Sequence, residues 1–129
     1  MGKYGQAALK AVNLIKINRE ENPIVAWQSA TTEIFGEGTS SQRKACPKST
    51  FLGLCEEGFI SEVKPGNYST RKGSKNKDYG IKAIQLLKKQ PSLSNDAKQL
   101  WDKVLEGEIK KPNSQMDVVI SLWENDLIR

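Results

Sequence analysis

Histidine is absent from the 129 residues of this chain, and cysteine occurs only twice. Without histidine, the chain cannot form a serine–histidine–aspartate triad, a histidine-ligated metal site or a histidine acid–base pair. Two cysteines are too few for a cysteine-rich zinc site within one chain. The sequence therefore indicates a binding protein rather than an enzyme, and we expect neither a metal nor a cofactor.

Long apolar runs are also missing, because none approaches the roughly 20 residues that a membrane-spanning helix needs. Residues 2–15 are amphipathic, with polar residues throughout, unlike a secretory signal peptide. If Cys46 and Cys55 share one helix, they are about 13 Å apart along its axis, which is too far for a disulfide. We therefore expect reduced thiols, a cytoplasmic protein and no membrane partner.

Apolar residues recur every three to four positions in six segments, which predicts an all-α fold of about six helices. Pro91 is expected to end the fourth helix. Three tryptophans fall on inward faces, where they are more typical of core anchors than of a stacking platform. The expected anchors of the core are Tyr4, Trp27, Phe51, Tyr79, Trp101 and Trp123.

Residues typical of helix ends mark the boundaries of these segments. Asn22 precedes a proline and is expected to cap the second helix, and Gly58 is expected to end the third. Ser94 is expected to cap the fifth helix. Ser114 and Asp117 form the capping-box pattern at the start of the sixth.

The two halves of the chain resemble each other, with matching landmarks in the same order. The landmarks are Tyr4 with Tyr79, Trp27 with Trp101, Ser41 with Ser114, and residues 52–60 with residues 120–128. This pattern predicts a tandem duplication within a single domain, residues 1–129, whose helices share one core. The first repeat is expected at 1–60, a connector at 61–77 and the second repeat at 78–129. A small β-hairpin is expected in the connector, around Pro65-Gly66-Asn67.

Positive charge is concentrated in the connector. The chain carries a net charge of +5, and residues 61–77 hold five Lys or Arg residues against Glu62 alone. A basic, glycine-rich segment that also contains Tyr68 is typical of one that contacts nucleic-acid phosphates. It is equally typical of a linker that lysines keep solvated.

The pattern Phe51-x-x-Leu54-x-x-x-Gly58-Phe59-Ile60, followed by Pro65-Gly66-Asn67-Tyr68, resembles winged helix-turn-helix DNA-binding proteins over residues 23–72. The resemblance implies a recognition helix from Pro47 to Glu57 and a β-hairpin wing from Ile60 to Arg71. The sequence departs from this family where Gly36 to Cys46 replaces the usual turn of about 3–4 residues.

The resemblance and the connector together nominate a set of residues for nucleic-acid contact. Those at the start of the recognition helix would face the major groove, and those just before it would touch the backbone. The others lie in the wing or the connector. The nominated residues are Arg43, Lys44, Lys48, Ser49, Lys64, Asn67, Tyr68, Arg71, Lys72, Lys75 and Lys77.

Two alternatives to nucleic-acid binding stay open. In the first, the chain is a protein-interaction or adaptor domain whose connector is only a tether or docks an acidic protein partner. In the second, Asp117 and Glu124 on one face of the sixth helix hold a divalent metal with Asp102. The sequence does not identify the ligand or the oligomeric state.

Overall fold

Six α-helices carry the fold in the computed structural model, which describes residues 2–129. The all-α prediction is therefore confirmed. Within these residues, no helix has both the length and the apolar character needed to cross a membrane. The helices are α1 (Lys3–Lys16), α2 (Pro23–Phe35), α3 (Ala45–Glu56), α4 (Lys75–Lys89), α5 (Ala97–Leu105) and α6 (Gln115–Glu124), with a 3₁₀ helix (Pro91–Asn95) before α5.

The start of α2 and the end of α3 follow the sequence prediction, whereas α3 begins at Ala45, two residues before the expected Pro47. The side chain of Asn22 accepts a hydrogen bond from the Ile24 amide (2.8 Å), and Pro23 occupies the first turn, where its missing N–H costs nothing. After α3, Gly58 adopts a φ of +75°, and the amide of Phe59 returns to the Leu54 carbonyl (3.1 Å). Glycine suits this left-handed position because it has no Cβ.

The starts of α4 and α5 differ from the prediction. Helix α4 begins at Lys75, because the Ser74 hydroxyl accepts a hydrogen bond from the Lys77 amide (3.3 Å), so the last three connector residues are helical. Asp96, not Ser94, caps α5 by accepting from the Gln99 amide (3.0 Å). Ser94 is instead part of the 3₁₀ helix that Pro91 opens.

Asp117 caps a different helix from the one expected. Ser114 has a φ of +67° and makes no side-chain cap, so the predicted capping box at α6 does not form. The Asp117 carboxylate instead accepts hydrogen bonds from the amides of Gly2 (2.9 Å) and Gly5 (2.8 Å), at the start of α1. A Cβ on Gly5 would lie 1.9 Å from the Ser121 hydroxyl, so this close approach of α1 to α6 requires glycine.

Helices from both halves of the chain form one hydrophobic core. Helix α1 packs against α2 and α6, and α4 packs against α3, so the first helix of each half contacts the last helix of the other. At the centre, the rings of Trp27 and Phe51 stack with centroids 5.0 Å apart. Both cysteines lie in α3 as free thiols.

A single antiparallel bridge joins the segments that follow α3 and α6. Ile60 pairs with Ile128, the Ser61 amide donates to the Leu127 carbonyl (2.8 Å), and the Arg129 amide donates to the Phe59 carbonyl (2.8 Å). Ile60 thus meets Ile128, the residue that the proposed alignment of residues 52–60 with 120–128 makes its equivalent. These contacts favour the duplication, which itself stays a prediction.

The β-hairpin expected from Ile60 to Arg71 is not found, because the described residues of that segment contain no strand. The backbone donors that a hairpin would pair across its two strands have other partners. The Gly66 amide donates to the Glu56 carbonyl (3.2 Å), and the amides of Tyr68 and Thr70 donate to the Glu56 carboxylate. Hydrogen bonds to Glu56, at the end of α3, therefore hold the connector in place of hairpin pairing.

Replacing Asp117 with alanine should destabilise the fold by roughly 1–2 kcal/mol, because two amides at the start of α1 lose their acceptor. For a domain of this size, the melting temperature should fall by about 4–8 °C. Asp102→Ala on α5 is the matched control, since the exposed Asp102 makes no hydrogen bond or ion pair within residues 2–129. Equal melting temperatures for the two variants would contradict the capping role.

Candidate nucleic-acid interface

The carboxylate of Glu56, the last residue of α3, holds the connector in place. Its side chain is only 8% exposed. It accepts hydrogen bonds from the amides of Tyr68 (2.8 Å) and Thr70 (3.3 Å), from the Thr70 hydroxyl and from the Lys77 ammonium (3.0 Å). A buried carboxylate with this many donors is well compensated for its lost hydration.

These contacts determine the ionisation of Glu56. Burial by itself would raise the pKa of this carboxyl, but the hydrogen bonds from Thr70, Tyr68 and Lys77 outweigh burial and lower the pKa to about 2. Glu56 is therefore negatively charged at neutral pH. It anchors the connector instead of repelling an approaching phosphate.

Two of the nominated lysines already have acidic partners. The Lys77 ammonium lies 3.0 Å from Glu56 and 2.7 Å from Glu57, and its side chain is 20% exposed. Burial disfavours the charged form of Lys77, but its bonds to Glu57 and Glu56 prevail and raise its pKa. The more exposed Lys75 lies 3.6 Å from Glu108. Lys77 is therefore structural, and Lys75 is partly neutralised.

The other nominated cations are not paired in this way. Within residues 2–129, none of them forms an ion pair with a carboxylate. The Lys44 ammonium lies 5.4 Å from the centre of the Tyr4 ring, and one nitrogen of the Arg43 guanidinium donates to the Gly38 carbonyl (2.7 Å). These cations are Arg43, Lys44, Lys48, Lys64, Arg71 and Lys72.

The first turn of α3 separates two surface cavities. One, of about 510 Å³, lies between the starts of α3 and α4 and brings Ser49, Arg71 and Lys75 together. The other contains Arg43 and Lys48. The α3 basic surface is the name used below for the cations that line these cavities without an acidic partner, together with the lysines next to them in the chain; its members are Arg43, Lys44, Lys48, Arg71 and Lys72.

Three nominated residues lie away from this surface. Tyr68 donates its hydroxyl hydrogen to the Lys64 carbonyl (2.5 Å), and Asn67 accepts a hydrogen bond within its own turn (3.1 Å). Lys64 and Tyr68 line a separate cavity together with Glu21 and Glu62. The hydrogen bonds of Tyr68 and Asn67 thus stay within the connector. In the cavity, two carboxylates outnumber Lys64, its only cation.

Most of α3 is unavailable to a ligand. Every residue from Thr50 to Cys55 is buried against the neighbouring helices. A helix that reads bases in the major groove must present one side to DNA. Here only the first turn, which includes the exposed Lys48 and the half-buried Ser49, is open to such contact.

The carboxylates considered for a divalent metal have other positions or partners. Asp117 caps α1, and it lines a cavity with Asp102 between α5 and α6. Nowhere in residues 2–129 do three or more acidic or cysteine side chains come together as a metal site would require.

The role of Glu56 and the contributions of Ser74 and Asn76 to the cavity beside Ser49 are not apparent from the sequence. Glu56 has no local signal, because its partners lie 12 to 21 residues further along the chain. Ser74 could have been recognised as a helix cap, since a serine before a predicted helix is a common start.

Glu56→Gln should destabilise the protein by roughly 2–3 kcal/mol at neutral pH. The folded pKa of Glu56 lies below its unfolded value of about 4.3, so acid favours the unfolded chain. The stabilisation is complete above about pH 5 and is lost as the pH falls toward 2.

Urea unfolding of the wild type and of Glu56→Gln at pH 7, 4 and 3 measures this difference. The gap between the two proteins should shrink at the lower pH values. Glu57→Gln is the control and should have a small effect, because Glu57 is 51% exposed and bonds only to Lys77. A gap that stays constant with pH would show that the Glu56 charge is not responsible.

Comparison with known proteins adds a family but no activity. No curated protein and no solved structure matches the chain significantly. One family matches the sequence over residues 1–129, and its description is a family of unknown function, DUF6979. The chain belongs to the DUF6979 family.

Proposed function

We propose that this protein binds nucleic acid through the phosphate backbone, using the α3 basic surface. The observation that carries the proposal is that Arg43, Lys48 and Arg71 line cavities beside the first turn of α3, and that neither they nor the adjoining Lys44 and Lys72 form an ion pair within the described chain. Unpaired lysines and arginines release counterions from a nucleic acid when they bind its phosphates. The net charge of +5 favours the same encounter.

The cavity between the starts of α3 and α4 provides donors suited to phosphate oxygens. Arg71 supplies charge, and Ser49 and Asn76 supply neutral donors. The first-turn amides of a helix carry a partial positive charge, which also favours a phosphate. The proposed contacts are thus positional and electrostatic.

The burial of α3 favours backbone contact over sequence reading. Only the first turn of the helix is accessible, and its exposed residues are Ala45 and Lys48. These side chains offer little of the bidentate hydrogen bonding that distinguishes one base pair from another. A winged-helix mode of binding would have to do without a β-hairpin wing.

The cysteines support a cytoplasmic location, which we propose with this function. Cys55 is buried, and burial raises the pKa of its thiol, so the thiol is unreactive. Cys46 and Cys55 lie on one helix nine residues apart and cannot form a disulfide with each other. A protein without disulfides is suited to a reducing compartment.

Replacing Lys48, Arg71 and Lys72 together with serine should weaken binding to a 30-base-pair DNA duplex by at least about tenfold at low salt. The slope of the logarithm of affinity against the logarithm of salt concentration should fall by about 2–3, since each lost phosphate contact removes about 0.9. Electrophoretic retardation over a series of salt concentrations measures both quantities.

The control replaces Lys89, Lys98 and Lys103 with serine, which removes the same net charge from exposed positions on α4 and α5. Affinity and slope should stay close to those of the parent. If neither DNA nor RNA is retarded by the parent protein, the proposal is wrong. An adaptor that docks an acidic protein on the same surface then becomes the better hypothesis.

A further inference from the structure

One buried hydrogen-bond donor in the core has no acceptor. Trp27 is only 1% exposed, yet its indole Nε1–H makes no hydrogen bond. It is the one buried side-chain nitrogen or oxygen without a partner among residues 2–129. Leaving such a donor unsatisfied is energetically costly, so folded proteins generally pair it.

The matching tryptophan in the other half is satisfied. Trp101 lies on α5, as Trp27 lies on α2, and is 3% exposed. Its Nε1–H donates to the Lys110 carbonyl (3.0 Å) in the loop that follows α5. The loop of residues 36–44 that follows α2 supplies no such acceptor for Trp27.

Trp27 lines a surface cavity of about 480 Å³ that holds two members of the α3 basic surface. Arg43 uses one guanidinium nitrogen on the Gly38 carbonyl and keeps its other donors, and Lys48 is exposed. Glu37 is the only carboxylate in the lining, so the two cations outnumber it. Donors and positive charge together suit an anionic oxygen.

Access to the indole depends on a neighbouring side chain. The Nε1 atom itself is covered, so a ligand oxygen reaches it only when part of the lining moves. Gln42 belongs to that lining, and its amide is held by one hydrogen bond of 3.3 Å to the Thr31 hydroxyl. Thr31 lies one turn after Trp27 on α2, so Gln42 is held close to Trp27 and is the lining side chain whose movement the phosphate site requires.

We propose that this cavity binds a phosphate group, with one oxygen accepting the Trp27 Nε1–H and with Arg43 and Lys48 neutralising the charge. The inference rests on the proposed function, because it assigns one phosphate pocket within the α3 basic surface. The phosphate could belong to a nucleic-acid backbone or to a small phosphate-bearing molecule. Both present the same oxygen chemistry to the pocket.

Indole N–H signals in the NMR spectrum of the ¹⁵N-labelled full chain test the proposal. The three tryptophans give three signals, which Trp27→Phe and Trp101→Phe assign. Inorganic phosphate, titrated at constant ionic strength, should shift the Trp27 signal saturably. The Trp101 signal should stay in place, because its N–H is already bonded.

A charge variant provides a second measure that leaves the core intact. Arg43→Ala should raise the phosphate concentration needed for half saturation by about tenfold, the expected loss for one charge-assisted contact. Lys98→Ala is the control of equal charge, on α5. The proposal is overturned if neither phosphate nor duplex DNA shifts the Trp27 signal saturably. It is also overturned if Arg43→Ala and Lys98→Ala change the half-saturating phosphate concentration equally.

A parallel titration with a short DNA duplex separates the two sources of phosphate. A Trp27 shift with DNA assigns the pocket to the nucleic-acid backbone. A shift with inorganic phosphate, in a protein that does not retard DNA or RNA, assigns it to a small phosphate ligand and refutes the proposed function. Retardation of DNA with no shift of Trp27 by either probe refutes the pocket and leaves the proposed function standing.

Discussion

The hydrogen-bonded carboxylate of Glu56 is the interaction on which the arrangement of the basic residues depends. Glu56 is the last residue of α3. Its carboxylate accepts hydrogen bonds from two backbone amides of the connector and pairs with Lys77 at the start of α4. One buried charge thus holds both the connector and the first turn of α4 against the end of α3. Because Glu56 binds backbone amides as well as side chains of the connector, the connector backbone follows one path without forming a β-sheet.

That path separates the positive charges into structural and available groups. Lys77 offsets the charge of Glu56 within the fold, and Lys75 lies near Glu108. Arg71 and Lys72 are exposed residues of the connector. Arg71 lines the cavity at the first turn of α3, and Lys72 follows it in the chain. The connector therefore contributes only Arg71 and Lys72 to the α3 basic surface, and the other members come from the loop before α3 and from Lys48 in its first turn.

The packing of α3 explains why a helix can resemble a recognition helix in sequence and yet expose so little. Phe51 and Leu54, which carry the resemblance, are fully buried. Helices α4 and α6 both pack against α3, and together they cover the side that a DNA-reading helix would leave open. The pattern of apolar residues followed by Gly58 encodes a buried helix with a left-handed end, and that requirement is common to many folds.

The sequence by itself determined the number of helices, most of their boundaries and most residues of the core, because periodicity and helix ends depend on neighbours within a few positions. Trp123 is the exception among the expected anchors, since it is only half-buried at the edge of the core. The cap at Asn22 and the end at Gly58 are of this local kind. Only the tertiary structure decided the partners of Glu56 and Asp117 and left the indole N–H of Trp27 without one. Asp117 meets Gly5 across 112 residues of chain, and the connector bonds to Glu56 in place of a hairpin. Whether Trp27 has an acceptor depends on the course of a loop, which no local pattern specifies. Such contacts form where the folded helices bring distant groups together, so they follow from packing geometry and not from sequence spacing.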